Sequence, residues 1–353
     1  MNAEQSPEKR KAKTEKRLEI IRFSIFVFRV SFFLLLAFLC GHPWFSPAVW
    51  AQETGQEVVA NLATGRVVIY VAKDGIAIAA NESRVEAETR PPLVALLSSK
   101  RIAILLGAAE WVHPSTGRPA LRLDIELPRA IRNLVPSAAG PRLQQEQATD
   151  LEPIGLALLE PLRTVVPDLT RKMNLREEDP LVEMLLVGYE EEYGPEVWLL
   201  KYYLVQEPLR GDYWKSRVTR PSFTQLYPPE KGQLHTLVEV RYPPEDAGPA
   251  LLELLQQSDA RLTPLRTSNA QVARAAEKLT RGESNKALLE DSLVFLRATL
   301  DAIAAPNSTQ IVAMISERRG FEWVLAPPDA VMQKAEEAKP REPGAPSLRK
   351  PPQ

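Results

Sequence analysis

One cysteine in 353 residues leaves no internal disulfide, no cysteine-rich zinc site and no iron–sulfur cluster, and three histidines are too few for a His-rich metal centre. Charge of one sign is also missing. Lys and Arg total 44 against 45 Asp and Glu, so the chain lacks the one-sided field by which proteins coat nucleic acid. The chemical equipment left is carboxylates, hydroxyls and backbone groups, with no cofactor, no metal and no nucleic-acid partner expected. Proline, by contrast, is plentiful at 31 residues, and a chain this long buries a substantial core without covalent staples.

The first 51 residues differ from the rest. Lys9, Arg10, Lys11, Lys13, Lys16, Arg17 and Arg22 precede an almost wholly apolar run from Phe23 to Cys40, and Val49-Trp50-Ala51 before Gln52 supplies a small-residue exit. A basic region, an apolar region and such an exit are the parts of an export signal, so residues 1–51 read as a signal peptide cleaved after Ala51. The rival reading is an uncleaved anchor over residues 23–40, against which Arg29 within the run argues. Either way the bulk of the chain is expected to be exported, periplasmic or secreted, touching the membrane only through this segment. Removing its eight basic and four acidic residues leaves 36 against 41, a net charge of −5. At the other end, residues 327–353 hold seven prolines and many charges, the composition of a disordered tail.

The folded part is expected between residues 56 and 326. Gly65 to Ala72 and Ile76 to Ala80 flank Lys73-Asp74-Gly75, a hairpin signal. Leu93 to Leu97 and Ile102 to Leu106 form a second pair around Ser98–Arg101. Neither pair alternates, which predicts strands buried on both faces. Residues 126–150 read as a loop or broken helix, Ile154 to Met173 as a proline-interrupted helix, and 206–249 as an irregular insertion holding one strand at 234–240. Leu181 to Tyr189 and Glu196 to Tyr203 form a third hairpin. Ser284 is placed to cap a helix with Leu289, Leu293, Leu296, Leu300 and Ile303 on one face, and strands at 310–315 and 321–325 close the chain. Strands and helices in this order give an α+β layered fold.

Four segments in this order resemble the proteasome β-subunit branch of the N-terminal nucleophile (Ntn) hydrolases. Val67 to Ala80 is similar to that family's first hairpin, and R-I-A-I-L-L-G-A-A-E-W from Arg101 to Trp111 to its strand and glycine turn entering the first helix. L-L-V-G-Y-E-E-E-Y-G-P-E-V-W-L-L from Leu185 to Leu200 is similar to its central hairpin, and 284–325 to its ending. The resemblance implies a four-layer αββα sandwich and a threonine-type peptide or amide hydrolase. Its nucleophile begins the mature chain, so that the freed α-amine activates the hydroxyl.

Carried over residue by residue, the resemblance puts that nucleophile at Gly65, with Thr64 one position earlier. A one-residue offset on a strand turns a side chain to the other face. The family's acidic residue falls on Asn81 and its lysine near Leu93, with Arg90 the nearest cation. Gly107 matches the glycine whose backbone N–H stabilises an oxyanion. Thr64, Asn81 and Gly107 are therefore the candidate catalytic positions. Two functions remain open. One is a catalytically degenerate module for assembly or binding, self-associating into rings or dimers as proteasome subunits do. The other is a hydrolase of peptides or amides activated by cleavage before Thr64.

Overall fold

Alternating burial begins the fold. In the computed structural model, which describes residues 58–82, 89–134, 150–166, 169–170, 179–190, 193–211, 213–244, 249–305 and 308–327, strand β2 (Gly65–Val71) turns at Lys73-Asp74 into β3 (Gly75–Asn81). Every residue of both strands except Arg66 is buried. The expected export segment and C-terminal tail lie outside the described residues. No described helix is long and apolar enough to cross a membrane.

The protein is α+β, with several sheets and helices. Strands β1 (Val59–Ala63), β4 (Thr89–Arg90), β5 (Leu93–Ser98), β6 (Arg101–Val112), β7 (Pro119–Arg122), β9 (Val182–Glu190), β10 (Gly194–Tyr202) and β13 (Ser222–Tyr227) form one sheet of eight, along the path β13-β10-β9-β6-β1-β4 with β5 and β7 on β6. A sheet of five runs β14-β2-β3-β15-β16, where β14 is Val238–Tyr242, β15 Gln310–Ser316 and β16 Gly320–Leu325. Strands β8 (Leu169–Thr170), β11 (Leu204–Pro208) and β12 (Trp214–Val218) make a small third sheet. The helices are α1 (Leu123–Leu134), α2 (Leu151–Ala157), α3 (Leu159–Val165), α4 (Leu251–Gln256), α5 (Thr263–Ser268), α6 (Ala270–Thr280) and α7 (Leu289–Ile303).

Three apolar clusters hold these elements together. Val67, Ile69, Ile76 and Ile78 of the five-stranded sheet meet Ile102, Ile104, Leu185 and Val187 of the eight-stranded one. Val68, Tyr70, Ala77 and Ala79 pack against Leu254, Val272, Leu279, Phe295 and Leu296 from α4, α6 and α7. Ala103, Leu105, Met184 and Leu186 pack against Leu127, Ile154 and Leu162 from α1 to α3. Odd and even positions of β2 therefore serve different clusters, which is the period-two rule of a strand buried on both sides. Buried tyrosines tie strand to helix: the Tyr70 hydroxyl donates to Ala275 O at 2.9 Å and the Tyr202 hydroxyl to Gly155 O at 2.7 Å, and burial pushes both phenols above their usual range.

Several expected boundaries move. The helix expected from Ser284 starts at Leu289, and 284–286 is a single 3-10 turn. Its first N–H groups are served from elsewhere in the sequence, because Asp74 in the β2–β3 turn accepts from Leu289 N at 2.8 Å. Pro128 sits inside α1 without preventing it, so residues 123–134 are helical where a loop was expected from 126 onward. The stretch 154–173 holds two seven-residue helices and β8. The irregular insertion 206–249 contributes β12, β13 and β14, one to each sheet, and the strand expected at 234–240 is β14 at 238–242.

Candidate functional site

The chain passes from one sheet to the other at Thr64. Strand β1 belongs to the eight-stranded sheet, with Ala63 opposite Gly107, and the next residue but one opens β2 in the five-stranded sheet. Thr64 is 5% exposed, its N–H donates to Arg90 O at 2.9 Å, and its Oγ1 is buried with no hydrogen-bond partner among the described residues. Its nitrogen is thus committed twice, to the peptide bond with Ala63 and to Arg90. Gly65 has φ of +152°, and a Cβ there would lie 2.1 Å from Asn81 O and 3.2 Å from Pro92 Cδ. The position that the resemblance gives to the nucleophile therefore has no room for any side chain.

Asn81 ends β3 opposite Arg66, is 6% exposed, and buries an Oδ1 that has no hydrogen-bond partner. Gly107 corrects an expectation. It is not a turn leading into a helix: β6 runs on to Val112, the helix begins at Leu123, and Gly107 with φ of +80° marks a bulge where the β1–β6 register shifts. A Cβ at Gly107 would meet Leu181 O at 2.6 Å, and the adjacent Ala108 N–H is already given to Leu181 O at 2.8 Å. The backbone therefore brings Thr64, Gly65, Asn81, Gly107 and Arg90 together at one corner. The chemistry assigned to them is another matter. Leu93, at the lysine position, is buried in the apolar cluster under α1 and pairs with Leu105. The Arg90 guanidinium pairs through Nε with Glu110, which also accepts from Asn61 Nδ2 at 2.9 Å.

One titratable pair went unread in the sequence. Glu183, 4% exposed, pairs with Lys201 Nζ at 2.9 Å and stands opposite Leu106 one residue from the Gly107 bulge. Burial pushes its carboxyl above the usual range, outweighing the pull of Lys201 in the other direction. The signal was there to read: a lone acid inside Leu181-Val-Glu-Met-Leu-Leu-Val and a lone base after Trp198-Leu-Leu are costly without each other.

Beside this corner lies a cavity of about 280 Å³, walled by Arg66, Arg241 and Arg261 on one side and by Asn81 and Glu82 at the end of β3. Glu239 holds two of the guanidinium groups, with its Oε1 at 3.3 Å from Arg66 Nε and 2.7 Å from Arg241 Nε, while its Oε2 accepts from Leu251 N at 2.8 Å. Arg261 is held by Asp259 through two contacts of 3.0 Å. Burial holds Arg66 below the usual arginine range; Glu239 acts against this, and Arg241 and Arg261 add repulsion. Among the described residues no group of three or more His, Cys, Asp or Glu side chains is arranged to hold a metal ion. No family model matches this chain, and no curated protein matches its sequence.

Proposed function

We propose that this chain is an exported, catalytically degenerate member of the Ntn-hydrolase fold that works as a binding or assembly module. In this reading the three apolar clusters are the three interfaces of a four-layer αββα sandwich, helices α1–α3 and α4–α7 forming the outer layers. The element order supports it: a hairpin first, a central hairpin after the first helices, and a closing hairpin after α7.

The observation that carries the silent reading is Gly65, where the backbone oxygen of Asn81 occupies the place of a nucleophile's Cβ. Thr64 does not replace it, because its nitrogen remains an amide bonded to Arg90 O and no lysine or histidine is among the residues gathered at the corner. An amide nitrogen is no base, so the hydroxyl is left unactivated.

The test is the mature N-terminus together with activity. Intact-mass analysis of the protein recovered from the exporting cell should give a chain that retains Ala63–Thr64, and a panel of fluorogenic peptides should show no hydrolysis above a Thr64→Ala control. A chain beginning at Thr64, with hydrolysis lost in Thr64→Ala, would overturn this reading in favour of a threonine hydrolase.

A further inference from the structure

The cavity beside β2 is walled by opposite chemistries. Arg66, Arg241 and Arg261 stand on one side, and guanidinium groups present paired N–H donors that match a carboxylate. At the end of β3 stand two acceptors, the Asn81 amide oxygen and the Glu82 carboxylate. Asn81 is more than nine-tenths buried, yet its Oδ1 has no hydrogen-bond partner in a molecule whose other polar side chains are largely paired. A buried acceptor left unmet costs about 1–3 kcal/mol, so an orphan on a cavity wall marks a place where a donor is missing. The volume of about 280 Å³ lies just below the usual range for drug-sized ligands and admits a molecule of amino-acid or dipeptide size.

We propose that this cavity binds a small amino carboxylate, a free amino acid or short peptide, with its carboxylate on the arginine wall and its ammonium on Asn81 Oδ1 and Glu82. The assignment does not depend on whether Thr64 is ever released, since Thr64 is not among the lining residues. Like-charge crowding supports it: Arg241 and Arg261 both disfavour the charge on Arg66, and a single carboxylate, Glu239, serves two of the three guanidinium groups. A ligand carboxylate relieves that crowding, and a ligand ammonium satisfies the buried amide. A simple anion does only the first.

Calorimetric titration of the full chain with L-glutamine and with glycylglycine tests this, using propionate and propylamine as probes that carry one end only. The expected result is saturable binding of at least one of the two zwitterions, at least tenfold tighter than either single-ended probe. Two variants locate the site. Arg261→Ala removes a half-exposed guanidinium on the wall, and Ala304→Trp fills the cavity from the C-terminal end of α7. Each should weaken binding at least tenfold, and Arg261→Ala remains informative if the tryptophan variant does not fold. Three results would each overturn the proposal: no binding of either zwitterion, binding that Arg261→Ala leaves unchanged, or propionate binding as tightly as L-glutamine.

Discussion

The two sides of the first residues of β2 are built oppositely. At the Thr64 corner, backbone fills the space: Asn81 O, Leu181 O and Arg90 O crowd Gly65, Gly107 and the Thr64 nitrogen. A few ångströms along the same strand, Arg66 and Asn81 border open space walled by charge. The side on which a family resemblance places chemistry is the closed one, and the side it says nothing about is the open one. Likeness in strand order is therefore compatible with the function having moved across the strand.

The contrast is most directly broken at Gly65. Gly65→Ala should destabilise the protein by about 3–5 kcal/mol, because the added methyl meets a backbone oxygen that cannot step aside and the residue is held at a positive φ. Urea unfolding measures this, and a loss under 1 kcal/mol would mean that the corner is not closed. Thr64→Val keeps the shape and removes the orphan hydroxyl, so it should raise stability by about 1–2 kcal/mol; a loss would show that Oγ1 has work to do.

Glu183→Gln tests the electrostatics next to the bulge. Its carboxyl lies above the usual range in the folded protein, so the contribution it makes is full below the ordinary value of about 4.3 and is lost as pH rises through the raised one. The glutamine variant should therefore gain stability relative to the wild type as pH is raised from about 4 to about 8. Unfolding midpoints that run parallel over that window would contradict the assignment. The smallest effect is expected on the open side, where Ala304→Val adds two methyl groups next to the cavity and should change stability by less than about 0.5 kcal/mol.

How much of this could be read beforehand depended on whether the signal was local. The hairpins at 65–81 and 182–202 are written in runs of Val, Ile and Leu broken by Asp-Gly or by charge and glycine, and they form with full register. Helix α7 announces its face, but its start does not lie in its own sequence. The cap arrives from Asp74, 215 residues away, so Ser284 next to the helix was the only cap visible. Gly107 misled for a related reason: a glycine after an apolar run marks equally a turn and a bulge, and pairing to β1 and β9 decides between them. Of the site, the convergence of Thr64, Asn81 and Gly107 was legible through the resemblance. The obstruction at Gly65 and the arginine cavity were not, since they arise from β14, α7 and the loop around Arg261, which meet only in the folded chain.

The pairing of β3 with β15 bears on the order of events during synthesis. Asn81 lies opposite Gln310 and Gly75 opposite Ser316, so the middle of the five-stranded sheet joins the first hairpin of the described chain to its last. Until residue 316 has emerged, β3 presents an unpaired apolar edge, and the Asp74 cap has no helix to hold. Such an edge invites intermolecular pairing. Completion of this protein is thus a late, long-range closure, and a nascent chain stalled before Gln310 should depend on a partner that covers β3.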